Sequence, residues 1–234
     1  MVFVALNGGQ VDRRYAAGTL WPVGDDVRAA GNLRSALWRL RGAGIHILTA
    51  DRCSLALTRG TVVDVAVVCD WALRLIEDRA TTADLENLQW RPDLVHLLPG
   101  WYDEWVIFER ERVRQRVLHG LESLARRLMD AGRIAEAIEA AVAAVAVEPL
   151  RESAQRVLIE AHLAEGNVVE AWRSFEAYRL LVSRELGVAP GRRLVALVRG
   201  VGSVPGEVVG ATSADARSSC DKRSTPMTIA TALV

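Results

Sequence analysis

The sequence predicts a mainly α-helical chain: three short N-terminal helices closed by a hairpin, then an all-helical segment of paired helices. Two observations carry this. Strand-like runs occur only at residues 45–49 and 54–58, and after Val62-Val63-Asp64 they stop. Beyond that point apolar residues recur at helical spacing, and Gly132, Glu136 and Ala137 return 34 positions later as Gly166, Glu170 and Ala171. A period of that length, built as helix, glycine turn, helix, marks TPR-type repeats, whose helix pairs bury their apolar faces only by stacking on neighbours. The match is incomplete, since Leu128 falls opposite His162, and three coincidences also arise by chance in an Ala-rich helical region.

Taken in order, residues 1–7 are apolar and read as the end of a helix closed by Asn7-Gly8-Gly9. Residues 11–20 read as a second helix, with Asp12 near its start and Trp21-Pro22 as its stop. A third runs from about 26 to 41 and ends at Gly42 and Gly44. The two strand-like runs follow about a turn near residues 50–52. Helix, helix, helix and hairpin is the order of a winged helix-turn-helix, with the hairpin as the wing. Residues 65–77 and 82–88 have helical periodicity, and the aromatic-rich turn LLPGWYDEW leads into a long helix over about 105–131. Trp90, Trp101 and Trp105 surround that turn; packing at a helix corner accounts for them more simply than a ligand cage. Pro149 separates the two repeat units, and ELGVAP at 185–190 ends the second. Residues 201–234 are rich in Gly, Ser, Thr, Ala and Pro without a sustained period, and read as a flexible tail.

The third helix carries the most information. At about 100° per residue, Ala29, Leu33, Ala36, Leu37 and Leu40 share one side. Arg28, Asn32, Ser35 and Arg39 share the other with Gly31, and Arg34 and Arg41 lie on a flank. An outward face that is positive, free of carboxylates and built of small residues and donors suits entry into a DNA major groove. An ordinary amphipathic helix with a solvated basic face has the same spacing. Arg52, at the hairpin tip, would meet phosphate or the minor groove, and a solvated turn residue fits there equally.

Composition narrows the classes. Residues 1–62 hold eight Arg against four Asp, a net of +4, whereas residues 63–200 hold 18 Arg against 22 acids, a net of −4. A basic first segment beside an acidic second fits a DNA-binding module joined to a protein-contacting one, although a difference of this size also arises by chance. Only Lys222 is lysine, a bias of GC-rich genomes rather than a nucleic-acid signal. No apolar run is long enough for a membrane helix, and MVFVALNGGQ lacks the basic start of a signal peptide, so a cytoplasmic protein is expected. Cys53, Cys69 and Cys220 are odd in number and lack ligand spacing, which suits free thiols. The four histidines (46, 96, 119 and 162) are scattered, and neither a P-loop nor a GxSxG motif occurs. Asp103-Glu104 and Glu109/Glu111 are explained by helix capping and by arginines at i+3 and i+5. Neither catalysis, nor a metal, nor a cofactor is expected.

GTLWP, RAAGNLRSALWRLR, DV, LLPGWYDEWV, ERERVR, PLRESAQRVLIEAHLAEGN, EA and ELGVAP follow one another in this order. Together they resemble the antibiotic-regulatory-protein (SARP) family of bacterial transcription activators over residues 1–200. That family joins an OmpR-type winged helix to a TPR-like bacterial transcriptional activator domain. The resemblance implies a winged helix over 1–62, the TPR-like domain over 63–200 and a tail over 201–234. It further implies binding to direct-repeat promoter DNA, recruitment of RNA polymerase, control of secondary-metabolite genes, and protomers held together through the TPR-like part. Arg28, Asn32, Arg34, Ser35, Arg39, Arg41 and Arg52 would then contact DNA, with Asn32, Ser35 and Arg39 reading bases. A scaffold that uses the TPR-like part and no longer binds DNA is the competing reading.

Family members have a small antiparallel sheet and a full first helix ahead of GTLWP, whereas here VFVALNGG resembles only the end of that helix. The chain is therefore read as an N-terminally truncated winged helix-turn-helix followed by an all-helical domain, with a start codon further upstream and a truncated, weakened protein as the two explanations. Val2, Val4, Leu6, Leu33, Leu37 and Leu40 are expected to be partly uncovered. Poor DNA binding, restored by an N-terminal extension, is the corresponding expectation.

Overall fold

Three helices and a small sheet form the N-terminal part: α1 (Val2–Leu6), β1 (Gln10–Asp12), α2 (Arg13–Leu20), α3 (Asp26–Gly42), β2 (Leu48–Ala50) and β3 (Ser54–Leu57). The structure, a computed structural model, describes residues 1–86 and 97–201, which belong to one compact unit. The helix expected over 11–20 starts later than its sequence suggests. Gln10–Asp12 is extended, with Asp12 at φ −61, ψ 138, and its carboxylate accepts from Arg14 N at 2.8 Å and Tyr15 N at 2.9 Å. An N-cap in extended conformation places the first helical residue at Arg13. The freed residues pair with β3, Val11 opposite Leu55, so the expected two-stranded wing is an antiparallel sheet in the order β1-β3-β2.

This sheet changes what is covered. Val4, Leu6 and Leu33 are buried, and Val2, Leu37 and Leu40 are half-buried. The expectation that these residues are partly uncovered is thus corrected for the first three. Val11 and Leu55 close one side of a cluster with Phe3, Val4, Ala16, Ala17, Ala29 and Leu33. The Trp105 ring meets Phe3 edge-on at 5.2 Å and closes another. Arg112 Nη2 donates to Leu6 O at 3.1 Å, which satisfies a carbonyl at the end of α1.

The rest is helical: α4 (Asp64–Ile76), α5 (Thr82–Glu86), α6 (Glu104–Asp130), α7 (Ile134–Val147), α8 (Glu152–Ala164), α9 (Val168–Leu186) and α10 (Arg192–Val201). Each packs on its chain neighbour from α6 onward, and α4 lies against α6. At 27 residues α6 is about 40 Å long. Val106, Val113, Val117, Leu121, Leu124 and Leu128 form its buried stripe at steps of three, four and seven residues. Gly120 sets the distance to α4: a Cβ there would stand 2.7 Å from Ala72 Cβ and 3.0 Å from Ala72 Cα.

The repeat is real in the backbone. Gly132 and Gly166 both have positive φ, 75° and 82°. Gly132 N donates to Met129 O and Arg133 N to Leu128 O; Gly166 N donates to Leu163 O and Asn167 N to His162 O. Leu128 and His162 thus supply equivalent carbonyls, and their unlike side chains do not disturb the turn. Ala137 and Ala171, the other repeat partners, are both buried. Two buried acids lock the bundle. Glu122 on α6 accepts from Arg151 Nε at 2.6 Å and from Ser153 Oγ at 2.6 Å on α8. Asp84 accepts from Arg74 Nη2 at 2.6 Å, and its backbone O from Trp71 Nε1 at 3.0 Å, tying α5 to α4.

Trp105 is half-buried at the expected corner, but Trp101 is exposed and does not pack it. Trp90, residues 87–88 and residues 202–234 lie outside the described residues, and Val201 ends α10. Among the described residues no helix is long and apolar enough to cross a membrane, and no group of three His, Cys, Asp or Glu side chains is placed to hold a metal.

Candidate nucleic-acid interface

Helix α3 is built to project from the N-terminal cluster. Asp25 caps it by accepting from Arg28 N at 2.7 Å. Asp26 in the first turn and Arg39 and Arg41 in the last turn match its dipole. At its end Ile45 N donates to Leu40 O across Gly44, whose φ is +74°. Ala29 and Leu33 anchor its inner face, with Leu37 half-buried beside them.

Arg28, Arg34, Ser35, Arg39 and Arg41 are all exposed, and Asn32 is half-buried. Arg39 Nε donates to Ser35 O at 3.4 Å, a long hydrogen bond to the preceding turn of its own helix. The centre of the outward face differs from the arginine-and-serine surface expected. Trp38, 76% exposed, lies there with Gly31 two turns before it and Arg34 and Arg41 on either side. Val27, one turn further back, is also exposed. Helical periodicity alone, at about 100° per residue, sets Trp38 away from the buried side formed by Leu33, Leu37 and Leu40.

The wing is held by Asp51. Its carboxylate accepts from Cys53 N at 2.7 Å, Ser54 N at 2.6 Å and Ser54 Oγ at 2.8 Å, and its carbonyl from Arg13 Nη1 at 2.9 Å. The Ser54 and Cys53 amides hold the carboxyl below its ordinary range. Arg52 therefore projects, exposed, from a turn whose backbone is fixed on both sides. Arg13, at the start of α2, was not among the residues expected to matter, because its role is a tertiary contact from a position 38 residues away.

Among the described residues the ion pairs all lie in the helical part, although Arg110, Arg116, Arg126, Arg192, Arg193 and Arg199 form none there. Among the described residues none of Arg28, Arg34, Arg39, Arg41 or Arg52 forms an ion pair. In the helical part Arg74, Arg112, Arg114, Arg127, Arg133 and Arg151 are each bound to a carboxylate. The positive charge of α3 and the wing is thus not neutralised by a carboxylate of the described residues.

A small unit of three helices and a hairpin, whose arginines on α3 and the hairpin pair with no carboxylate among the described residues, is joined to stacked helix pairs. Residues 24–201 match the family model described as the bacterial transcriptional activator domain, and the chain belongs to that family. Among solved structures it is similar to Mycobacterium tuberculosis EmbR in complex with a low-affinity phosphopeptide. The TM-score is 0.55 and the identity 22%, over 85% of this chain and 57% of that chain. At that identity the likeness is one of fold, and this chain spans little more than half of the EmbR chain. No curated protein matches the chain.

Proposed function

We propose that the chain is a DNA-binding transcription activator of the antibiotic-regulatory type. Residues 1–62 serve as an OmpR-type DNA-binding unit and residues 63–200 as the unit that contacts protein. α3 enters the major groove, with Asn32, Ser35 and Arg39 toward base edges. Arg28, Arg34, Arg41 and Arg52 bind phosphate. The single observation that supports this is the set of arginines on α3 and the wing that pair with no carboxylate among the described residues. Charge of this kind supplies affinity by releasing counterions from DNA. Direct-repeat promoter sites of secondary-metabolite genes, recruitment of RNA polymerase, pairing of protomers through the helical part, action in the cytoplasm and the absence of enzymatic activity follow from the family reading.

The test is selection of binding sites from random duplex DNA, followed by titration at several salt concentrations. The expected slope of log K against log salt is about −0.9 per phosphate contacted, and Arg52→Ala reduces it by about one contact. Failure to enrich any sequence, with salt-insensitive binding, overturns the proposal.

One observation favours the second reading, a protein-interaction scaffold without DNA binding. Trp38 is bulky, and an indole at the centre of α3 holds the helix backbone away from base edges unless it finds an apolar partner in the groove. Trp38→Ala separates the two.

A further inference from the structure

A cleft of about 360 Å³ opens where α1, α2 and the first turn of α6 meet. That volume lies in the range of small-molecule sites, roughly 300–1,000 Å³. Four aromatic rings line it: Phe3, Tyr15, Trp105 and Phe108. Phe3 is the floor, at 3% exposure, with Trp105 edge-on at 5.2 Å and Tyr15 tilted at 5.8 Å. Tyr15 and Phe108 stand as exposed walls, 56% and 67% accessible, so ring faces remain open to a guest.

The polar lining is one-sided. Asn7 Nδ2 already donates to Phe3 O at 2.8 Å, and Thr19 Oγ1 to Tyr15 O at 2.9 Å. Asp103 and Glu104 also line the cleft and pair with no cation among the described residues. Asp103 occupies the N-cap position of α6, yet its carboxylate does not cap the helix; only its backbone O is used, by Val106 N and Ile107 N. Glu109, the third acid, is neutralised by Arg112. The lining contains neither Arg nor Lys. Two uncompensated carboxylates beside four rings repel anions. They attract a cation that offers apolar surface, because ring faces carry negative charge density. A hydrated metal ion lacks that apolar surface.

We infer that this cleft is a binding site for a small organic cation, an alkyl- or quaternary-ammonium compound, held against the four rings with its charge toward Asp103 and Glu104. Its walls come from both the N-terminal part and α6, so an occupant joins the two. The site is independent of the DNA-binding reading.

The experiment is calorimetric titration of the full chain with choline and with 3,3-dimethylbutan-1-ol, its neutral carbon isostere. Benzyltrimethylammonium serves as a probe with a larger apolar body. The expected result is saturable binding of both cations in the millimolar range or tighter, at least fivefold stronger for choline than for the isostere, with the melting temperature raised by the bound cation. Asp103→Asn with Glu104→Gln brings choline down to the isostere's affinity, and Phe108→Ala weakens both cations at least fivefold. These three side chains are exposed, and melting curves of the unliganded variants confirm that they fold. Absence of saturable binding by either cation overturns the inference. So does equal affinity for choline and its isostere, or unchanged choline affinity in the double variant.

Discussion

Trp38 is the residue on which the two readings of α3 part. If α3 enters the major groove, the indole meets the methyl groups of thymines, the apolar feature that groove offers. Trp38→Ala then weakens binding to the selected site, and replacing thymine by uracil in that site weakens the parent but not the variant. A variant that binds DNA better than the parent shows that the indole obstructs the groove. Arg39→Ala is expected to cost ~1–3 kcal/mol of specific binding, measured against the same site. An unchanged affinity removes Arg39 from the interface. Leu33→Ala is the core control for this helix: its side chain is 3% exposed, and truncation costs about 2–5 kcal/mol of stability. Leu37, half-buried, costs less. Asp84 gives a prediction in pH. Arg74 beside it, aided by the Thr81 amide and hydroxyl, holds its carboxyl far below the ordinary range. A depressed folded value means that the stabilisation is complete above the unfolded carboxylate pKa, about 3.9, and is lost as pH falls below it. Asp84→Asn should flatten the acid limb of a plot of melting temperature against pH below about pH 4. An acid limb as steep as the parent's would show that other carboxylates carry it.

Two helical glycines differ only in what surrounds them, and they test the packing of whole elements. Gly18 lies on the exposed side of α2, with nothing within 4 Å of a Cβ. Gly18→Ala should stabilise by up to about 1 kcal/mol through helix propensity alone. Gly120 faces Ala72 across the α4–α6 contact, where both the nearest Cβ and the nearest Cα are too close. These atoms are not the ends of flexible side chains, so the two helices must separate. Gly120→Ala should destabilise despite the same gain in propensity, by about 1–3 kcal/mol. Denaturant unfolding of both variants reads the difference. A Gly120→Ala protein as stable as the parent would mean that α4 moves freely over α6.

At the scale of the molecule, the helical part depends little on what precedes it. Its main cluster takes Leu6 from the N-terminal part, with Val2 packed against it, and otherwise draws on α4 to α8. A fragment of residues 63–201 is therefore expected to unfold in one cooperative step with a helical circular-dichroism spectrum. It should melt lower than the full chain, since covering Leu6 and its neighbours is worth roughly 1.5–3 kcal/mol per fully buried side chain. A fragment without a cooperative transition would show that residues 1–62 are needed to hold the bundle.

The mainly α fold, the start and end of α3, the long α6 and the repeat turns were legible in the amino-acid order. Local rules govern each of them: a capping aspartate, a glycine at positive φ, an apolar stripe with helical spacing. The exposed arginines of α3 were legible for the same reason, as was the exposed position of Arg52 in its turn. Other features belong to the tertiary structure. Gln10–Asp12 joins the sheet because Leu55 offers it a partner 44 residues away. Val4 and Leu33 are covered because the sheet and Trp105 close their cluster, and Leu6 because it packs into the cluster of α4 and α6. Arg74 and Arg151 are neutralised by carboxylates brought from other elements, while the arginines of α3 are not. The aromatic cleft gathers Phe3, Tyr15 and Phe108 from three helices. Periodicity reports which side of one helix is apolar. What that side meets depends on contacts between residues far apart in the chain, and only the folded packing decides them.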